Sequence, residues 1–295
     1  MPETTAEKEE CEKKCETCEL ECRDRTAPTA LPEKAKIRVK HVILVLSGKG
    51  GVGKSTVAVN LAWSLSAHGF QVGILDLDIH GPNIPIMLGI QNERLQAVGN
   101  LIEPIRITGN LSAMSMAFLL PDVSTPVIWR GPMKMAAIRQ FLEEVNWGEL
   151  DYLVVDLPPG TGDEALSIAQ LAPNVTGVVI VTTPQDVSTV DSRKAVKFTE
   201  MLGFRVLGII ENMSGMVCPH CKQEIDLFGK GGGKKAAEEM GVPFLGAIPI
   251  DPEMARAGDE GRPFVIRRGE TNPTWEAVDR IMEALVEEVE KEAPP

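Results

Sequence analysis

A glycine-rich segment directly after an apolar run is the feature that most constrains this chain. A strand predicted at 41–47 leads into Gly48-Lys49-Gly50-Gly51-Val52-Gly53-Lys54-Ser55, which fits the pattern G-x-x-x-x-G-K-[ST]. Its glycines let backbone N–H groups turn toward phosphate oxygens, and the helix predicted at 54–68 offers the positive end of its dipole. A strand-to-helix turn that binds nothing is the alternative. The pattern favours a nucleotide site that extends to Thr56, in which Lys54 reaches the β and γ phosphates and the Ser55 hydroxyl is a ligand of Mg²⁺.

Composition and charge narrow the classes of partner. A formal net charge of -12 argues against binding of nucleic acid, which needs a basic stripe. The sequence has no apolar stretch of the roughly 20 residues that a membrane span requires, and its acidic start is unlike a signal peptide. We therefore expect a cytoplasmic protein with no membrane or nucleic-acid partner. Six cysteines then indicate metal or redox chemistry rather than a disulfide framework.

Two segments with different character divide the chain. Residues 1–36 are rich in Glu and Lys, hold few large apolar side chains and are predicted to be a flexible tail. Residues 37–295 alternate apolar runs with helical stretches. Strands are predicted at 41–47, 71–76, 152–156, 177–183, 206–210 and 244–248. Near-continuous apolar strands that alternate with helices predict an α/β fold with a doubly wound, mostly parallel sheet. Its ligand should lie beyond the carboxyl ends of the strands.

Lys49 refines the type of glycine loop. An ordinary loop of this pattern places no constraint at that position, whereas a lysine there resembles the deviant Walker A group of P-loop NTPases. That group includes the MinD and ParA ATPases and the Mrp family of iron-sulfur cluster carriers. The resemblance implies that Lys49 reaches across a dimer interface to the partner's nucleotide and acts with Lys54 in catalysis. A solvated surface lysine is the alternative, and charge alone favours it.

Asp76 and Asp78 follow the second predicted strand. Alternation along a strand places both carboxylates on the same side. Without the glycine loop they would be interpreted as caps of a strand and a turn. With it, the run resembles switch I of the deviant Walker A group, which implies that Asp78 positions the attacking water and that Asp76 lies near the magnesium shell. Phosphoryl transfer depends mainly on positioning and charge neutralisation, so a carboxylate that orients water is sufficient.

Residues 152–163 read Tyr-Leu-Val-Val-Asp-Leu-Pro-Pro-Gly-Thr-Gly-Asp, an apolar strand that ends in an acid and a rigid turn. A strand-ending aspartate alone is a weak signal, but the whole run closely resembles switch II of the Mrp group. The resemblance implies that Asp156 holds Mg²⁺ through a water molecule. It also implies that Gly160 offers its backbone N–H to the γ phosphate, so that the turn responds to hydrolysis.

Two further strand ends are candidates for contacts with the base. The segment after 206–210 resembles the part of the family in which an asparagine, here Asn212, contacts adenine. Pro249 and Asp251 after the last strand resemble the second wall of that pocket. Ordinary caps or turns are the alternative at both places.

Cys218 and Cys221 form a CxxC motif in an insertion near 214–228. Two thiolates fill half of a four-ligand metal site, and a twofold dimer would supply the other half. The Mrp family carries a CxxC here and holds a 4Fe-4S cluster between subunits, which implies the same for this chain. A zinc knuckle is the main alternative. A dithiol redox site is less favoured, because the motif opens no obvious long helix.

The tail carries Cys11, Cys15, Cys18 and Cys22. On a straight helix these would form one narrow stripe whose ends are about 16 Å apart, too far for one cluster. The segment therefore either folds around a metal or uses its cysteines in pairs. It resembles the four-cysteine extension of the Nbp branch of the Mrp family, although its spacing differs from the eukaryotic pattern. Zinc is the alternative here too.

Together these motifs predict an ATP-binding and ATP-hydrolysing homodimer that assembles a 4Fe-4S cluster and passes it to apo-proteins. A MinD/ParA-like positioning ATPase is one alternative, but it needs a basic membrane-seeking helix or a basic DNA-binding patch. The helix predicted at 274–292 is instead acidic. A zinc-stabilised regulatory module that binds nucleotide without turnover is the other alternative, and the presence of both Asp78 and Asp156 argues against it.

Overall fold

A central, mostly parallel sheet organises the chain. The computed structural model describes residues 33–79, 81–120, 131–160, 162–218, 220–221, 223–262, 264 and 272–291. The strands are Arg38–Ser47 (β1), Val72–Asp76 (β2), Gln96–Val98 (β3), Leu101–Glu103 (β4), Ile105–Arg106 (β5), Leu111–Ser115 (β6), Glu149–Asp156 (β7), Val175–Thr182 (β8), Val206–Val217 (β9), Glu224–Ile225 (β10) and Phe244–Ile250 (β11). The helices are Lys54–Ala67 (α1), Ile84–Met87 (α2), Gly131–Glu143 (α3), Asp163–Leu171 (α4), Asp186–Met201 (α5), Gly232–Met240 (α6), Pro252–Asp259 (α7) and Pro273–Glu290 (α8), with a 3-10 turn at Met116–Leu119.

The strand order places the glycine loop at the middle of the sheet. Within the described residues the order is β10-β9-β8-β1-β7-β2-β6-β5, and β11 also pairs with β9. The pairs β5–β6 and β9–β10 are antiparallel, whereas the other pairs of this sheet are parallel. β3 and β4 form a separate antiparallel hairpin. Because β1 lies between β7 and β8, the loop that follows β1 emerges beside the ends of both neighbours.

Helices cover both faces of the sheet, and the side chains of β1 divide between the two cores. Ile43 and Val45 belong to the core beneath α1 and α8. Val42, Leu44 and Leu46 belong to the core beneath α3, α4, α5 and α6. A strand buried on both faces needs an uninterrupted apolar run, because successive side chains point to opposite sides. The predicted doubly wound α/β fold is confirmed.

The C-terminal helix α8 packs on the same face as α1. Asn272 caps it, since its Oδ1 accepts hydrogen bonds from the backbone N–H groups of Thr274 at 2.7 Å and Trp275 at 3.3 Å. Its apolar stripe, which includes Ile281 and Leu285, is buried in the core. Among the described helices, none is both long and apolar enough to cross a bilayer.

The six predicted strands correspond to β1, β2, β7, β8, β9 and β11, and two of the differences from the prediction concern the site. β6 was not predicted, because Leu-Ser-Ala-Met-Ser lacks the β-branched and aromatic residues that mark a strand. Its pairing with β2 defines it instead. β9 was predicted at 206–210 but continues to Val217, because β11 and β10 pair with its second half.

Candidate functional site

The glycine loop requires its glycines at specific positions. Gly51 and Gly53 have φ of +78° and +79°, a left-handed conformation that favours glycine. A Cβ at Gly48 would lie 2.4 Å from the Asp191 backbone, where α5 passes close to the loop. A Cβ at Gly53 would lie 2.2 Å from Asn212 Nδ2. The loop therefore combines special dihedral angles with close packing against two neighbouring elements.

Lys54, Ser55 and Asp156 meet at the start of α1. The Lys54 ammonium contacts Asp156 Oδ1 at 2.5 Å, and the Ser55 hydroxyl donates to Asp156 Oδ2 at 2.6 Å. The side chains of Lys54 and Asp156 are 6% and 1% exposed. The structure thus brings together three residues that the sequence placed in one site from positions about 100 residues apart.

Asp76 lies beside Asp156 because β2 and β7 pair these two residues in register. Its Oδ2 accepts from the Ser115 hydroxyl at 2.9 Å and its Oδ1 accepts from the backbone N–H of Asp78 at 3.0 Å. Burial, together with the charge of Asp156, raises the pKa of Asp76 to about 8. Burial also raises the pKa of Asp156, while Lys54 acts in the opposite direction.

This pair of carboxyl groups fits a divalent cation. Asp76 and Asp156 are both fully buried, and the ion pair between Lys54 and Asp156 is the one that the described residues show for either carboxyl group. A divalent cation would lower both pKa values, because it favours the charged carboxylates. Carboxylate and hydroxyl oxygens are also the donors that Mg²⁺ prefers. Ser55 and Asp156 therefore fit the predicted magnesium role.

A cleft of about 300 Å³ opens beside this cluster. Its lining consists of residues from the end of β1, the glycine loop, α1, the turns after β2 and β7, α2 and β9: Ser47, Gly50, Gly51, Gly53, Lys54, Ser55, Thr56, Asp78, Asn83, Met87, Pro159 and Met213. Asp78 is 8% exposed, and its Oδ1 accepts from the Gly81 N–H at 3.1 Å. Its carboxylate is thus held at the wall of the cleft, and its role in switch I stays a prediction.

Gly160 and Lys49 both hydrogen-bond to Ser47 at the end of β1. Gly160 has a φ of +94°, and its N–H donates to the Ser47 carbonyl at 2.9 Å. A contact between this N–H and a γ phosphate would require the turn after β7 to move. Lys49 is half-buried and has no ion-pair partner within the described part of the chain. The roles predicted for Gly160 and Lys49 stay predictions.

The residues predicted to frame the base have other partners in this structure. Asn212 is 5% exposed, and its Nδ2 donates to the Val52 carbonyl in the glycine loop at 2.9 Å. Asp251 is the N-cap of α7 and accepts from the Glu253 N–H at 2.8 Å. Asp251 is therefore a helix cap in this structure, which was the alternative interpretation of this residue from the sequence. Pro249 is half-buried within β11, and the adenine contacts remain predictions.

The CxxC motif lies at the turn of a β-hairpin, which we call the cysteine hairpin and define as residues 214–230. β9 and β10 pair Val217 with Glu224, and the Cys218 N–H donates to the Gln223 carbonyl at 2.9 Å. Cys218 is half-buried and Cys221 is exposed. The turn leads into a strand, whereas a thioredoxin-like dithiol would open a helix. The tail residues Cys11, Cys15, Cys18 and Cys22 lie outside the described residues.

Several residues that line or border the site were not predicted as site residues from the sequence, and three of them show why. Ser115 lies on β6, a strand that the sequence did not reveal, and it bonds to Asp76. Met87 belongs to the short helix α2 and lines the cleft. Glu211, beside Asn212 on β9, is fully buried. Their partners come from distant segments, so no local pattern marked them.

Sequence likeness identifies the family. The profile of the NUBPL iron-transfer P-loop NTPase family (ParA) matches residues 38–286, most of the chain. The iron-sulfur cluster carrier protein of Methanocaldococcus jannaschii is 51% identical over 288 residues and covers 95% of this chain and 98% of its own length. The cytosolic Fe-S cluster assembly factor CFD1 of Kluyveromyces lactis is 50% identical over 230 residues, with coverage of 75% and 80%.

Solved structures agree with this assignment. A nucleotide-binding protein of Archaeoglobus fulgidus in complex with ADP has a TM-score of 0.68 at 38% identity and covers 81% of this chain and 91% of its own. The MinD cell division protein of Aquifex aeolicus has a TM-score of 0.59 at 20% identity, with coverage of 86% and 99%, and shares the fold. The resemblance to the deviant Walker A group is confirmed, and this chain belongs to the NUBPL iron-transfer P-loop NTPase family.

Proposed function

We propose that this chain is an ATP-hydrolysing carrier that assembles a 4Fe-4S cluster between two copies of itself and passes it to apo-proteins. The observation that carries the proposal is the cysteine hairpin on a nucleotide-binding fold. The described residues hold two cysteines, Cys218 and Cys221, and four thiolates close one cluster. The names of the relatives, an iron-sulfur cluster carrier and a cytosolic Fe-S assembly factor, support this cargo and a cytoplasmic location.

The residues around the cleft would bind and orient the nucleotide. The glycine loop would direct its N–H groups at the phosphates, and the Lys54 ammonium would exchange part of its contact with Asp156 for phosphate oxygens. Ser55 and Asp156 would hold Mg²⁺, which neutralises charge on the phosphate oxygens when it is bound. Thr56 at the first turn of α1 would contact the phosphate nearest the ribose.

Hydrolysis would need one further group that orients water. Asp78 lies at the cleft wall and is the carboxylate that we assign to this role. Water attacks the γ phosphorus, the bond to the β–γ bridging oxygen breaks, and ADP and phosphate leave. The Gly160 N–H would turn from the Ser47 carbonyl toward the γ phosphate before this step, and Lys49 of a second copy would reach the same phosphates.

The cluster is the cargo in this scheme, and its ligands would come from both copies. Cys218 and Cys221 of each chain supply four thiolates at a twofold axis. The exposed position of Cys221 suits transfer, because an acceptor thiolate can approach the cluster from solvent. The tail cysteines would hold additional iron.

Iron and sulfide analysis of the anaerobically purified full chain tests this proposal. We expect Cys218→Ala to lose about four irons per dimer relative to wild type, because two of the four shared thiolates disappear. Cys11→Ala is the matched control: it should lose tail iron only and keep the iron held by the hairpin.

Two outcomes would contradict the proposal. A Cys218→Ala protein with the full iron content would show that the cluster is bound by other residues. Colourless wild-type protein with zinc at Cys218 and Cys221 would replace the cluster by a structural zinc site.

A further inference from the structure

Glu211 is a buried carboxylate that the scheme above does not use. It lies within β9 and is 0% exposed. Its Oε1 accepts hydrogen bonds from the Ser214 hydroxyl at 2.6 Å and from the Gly231 N–H at 2.8 Å, and its Oε2 accepts from the Gly233 N–H at 2.6 Å. A buried charge is retained in a fold when donors of this kind satisfy it.

These donors lie at the start of the cysteine hairpin and directly after its end. Ser214 is the first residue of the hairpin and lies within β9, and Gly231, the residue that follows the hairpin, is the N-cap of α6. Gly231 cannot cap α6 with a side chain of its own, so the Glu211 carboxylate satisfies the N–H groups there and complements the helix dipole. One side chain therefore closes the base of the segment that carries Cys218 and Cys221.

The next residue connects the same strand to the glycine loop. Asn212 Nδ2 donates to the Val52 carbonyl, and Gly53 leaves no room for a Cβ beside it. Successive residues on a strand point to opposite faces, so β9 carries one anchor on each face. A displacement of the glycine loop would move Asn212, and the peptide that joins Asn212 to Glu211 would carry that displacement to the hairpin.

The backbone beyond these anchors is held in an uncommon conformation. Met213 has a φ of +59°, unusual for a residue with a side chain, and it lines the nucleotide cleft. Gly215 has a φ of +68°, and a Cβ there would lie 2.2 Å from Lys230 Cε on the returning chain. Strained positions of this kind persist where the surroundings determine them, and they occur at clamps and switches.

We propose that Glu211 is a positioning residue that couples the nucleotide cleft to the cysteine pair. By holding both ends of the cysteine hairpin to β9, it makes the placement of Cys218 and Cys221 depend on the state of the glycine loop. The coupling concerns the positions of the two thiols. It rests on the proposed function only where the cargo that the thiols bind is identified as a cluster. Without the carboxylate, the hairpin still forms through β9 and β10 but no longer follows the loop.

Alkylation of the two thiols in the reduced, metal-free full chain tests this coupling. Peptide mass spectrometry measures the iodoacetamide reaction rates of Cys218 and Cys221, with and without Mg²⁺ and a non-hydrolysable ATP analogue. In wild type we expect the analogue to change the rates by about fivefold or more. In Glu211→Gln we expect the same rate in both conditions, with analogue affinity unchanged. The amide keeps the size of the side chain but turns a donor toward the N–H groups of Gly231 or Gly233.

Glu224→Gln is the matched control. It makes the same substitution on the same hairpin and removes an exposed ion pair with Lys230. It should keep the wild-type response. Ser214→Ala removes one of the three hydrogen bonds to Glu211, so a smaller response is expected even if Glu211→Gln fails to fold.

Three results would overturn the coupling. One is a Glu211→Gln protein with the wild-type response to the analogue. Another is a Glu211→Gln protein whose alkylation rates differ from those of wild type by the same factor with and without the analogue. The response to the analogue would then be kept, and Glu211 would have only a structural role. The third is wild-type protein that does not respond. The thiol readout is independent of iron, so a failure of the cluster proposal leaves this test intact.

Discussion

At the scale of single residues, the nucleotide site depends on places where the backbone leaves no room for a side chain. An added Cβ would clash with the backbone of α5 at Gly48 and with Asn212 at Gly53, while Gly51 and Gly53 have positive φ. Gly50 differs, because a Cβ there would make an ordinary 3.8 Å contact with Pro159. The loss of stability expected from an alanine substitution therefore differs between the glycines of this motif.

Gly53→Ala should destabilise the fold by about 1–3 kcal/mol, because alanine is strained at a φ of +79° and its Cβ would collide with Asn212. ATP affinity should fall as well, since the loop cannot keep its shape. Denaturant midpoints and ATP titration measure both effects. Gly50→Ala is the control for stability, and equal unfolding midpoints for the two variants would contradict the prediction.

Asp78→Asn should keep ATP bound and lower its hydrolysis about 100-fold or more, because the amide no longer orients water as a carboxylate does. Its Oδ1 can still accept from the Gly81 N–H, so the turn should persist. Lys54→Ala provides the contrast, since it should lose phosphate binding itself. Turnover and ATP affinity measured on both variants separate the two roles, and wild-type turnover in Asp78→Asn would remove Asp78 from switch I.

At the scale of elements, the sequence predicts what is local and continuous. β1, β7 and β8 are predictable because burial on both faces requires an unbroken apolar run. β6 is not, because its pairing with β2 rather than its composition makes it a strand. The glycine loop, Asp76, Asp78 and Asp156 were found through their motifs, whereas the backbone donors that surround Glu211 leave no mark in the sequence.

Helices α3 and α4 are joined by an ion pair between Lys134 and Glu164 at 2.6 Å, whose side chains are 13% and 4% exposed. Glu164→Gln should destabilise the protein by about 3 kcal/mol, because it leaves the Lys134 charge largely buried without its partner. Glu143→Gln breaks the exposed pair with Arg139 on α3 and should change stability by less than about 0.5 kcal/mol. If chemical denaturation gave similar losses of unfolding free energy for the two variants, the buried ion pair would contribute no more to stability than the exposed pair.

At the scale of the whole molecule, the parallel sheet brings distant segments to one edge. The glycine loop after β1, Asp76 at the end of β2, and Asp156 at the end of β7 meet there, since parallel strands share their carboxyl ends. β9 extends past that edge into the cysteine hairpin. The cleft beside the glycine loop and the cysteine pair therefore both follow the carboxyl ends of strands of the same sheet.

Lys49→Ala should weaken the dimer that forms with ATP while each chain still binds the nucleotide, because we assign Lys49 to the partner's phosphates. Scattering mass with and without a non-hydrolysable ATP analogue measures the effect. Lys40→Ala is the control, since Lys40 lies on β1 before the glycine loop, is exposed and is paired with Asp151. Equal dimer formation by Lys49→Ala and wild type would make Lys49 an ordinary surface lysine.

The central position of β1 also sets the order in which a growing chain can acquire its site during synthesis. In the sheet, β1 pairs with β7 and β8, and both come after residue 148. A ribosome must therefore synthesise residues 48–148 after β1 before this strand, which leads into the glycine loop, gains its first neighbour. Such non-local pairing slows folding and leaves apolar strands exposed to aggregation meanwhile. A ligand of the glycine loop can thus stabilise the nascent protein only after β7 has been synthesised.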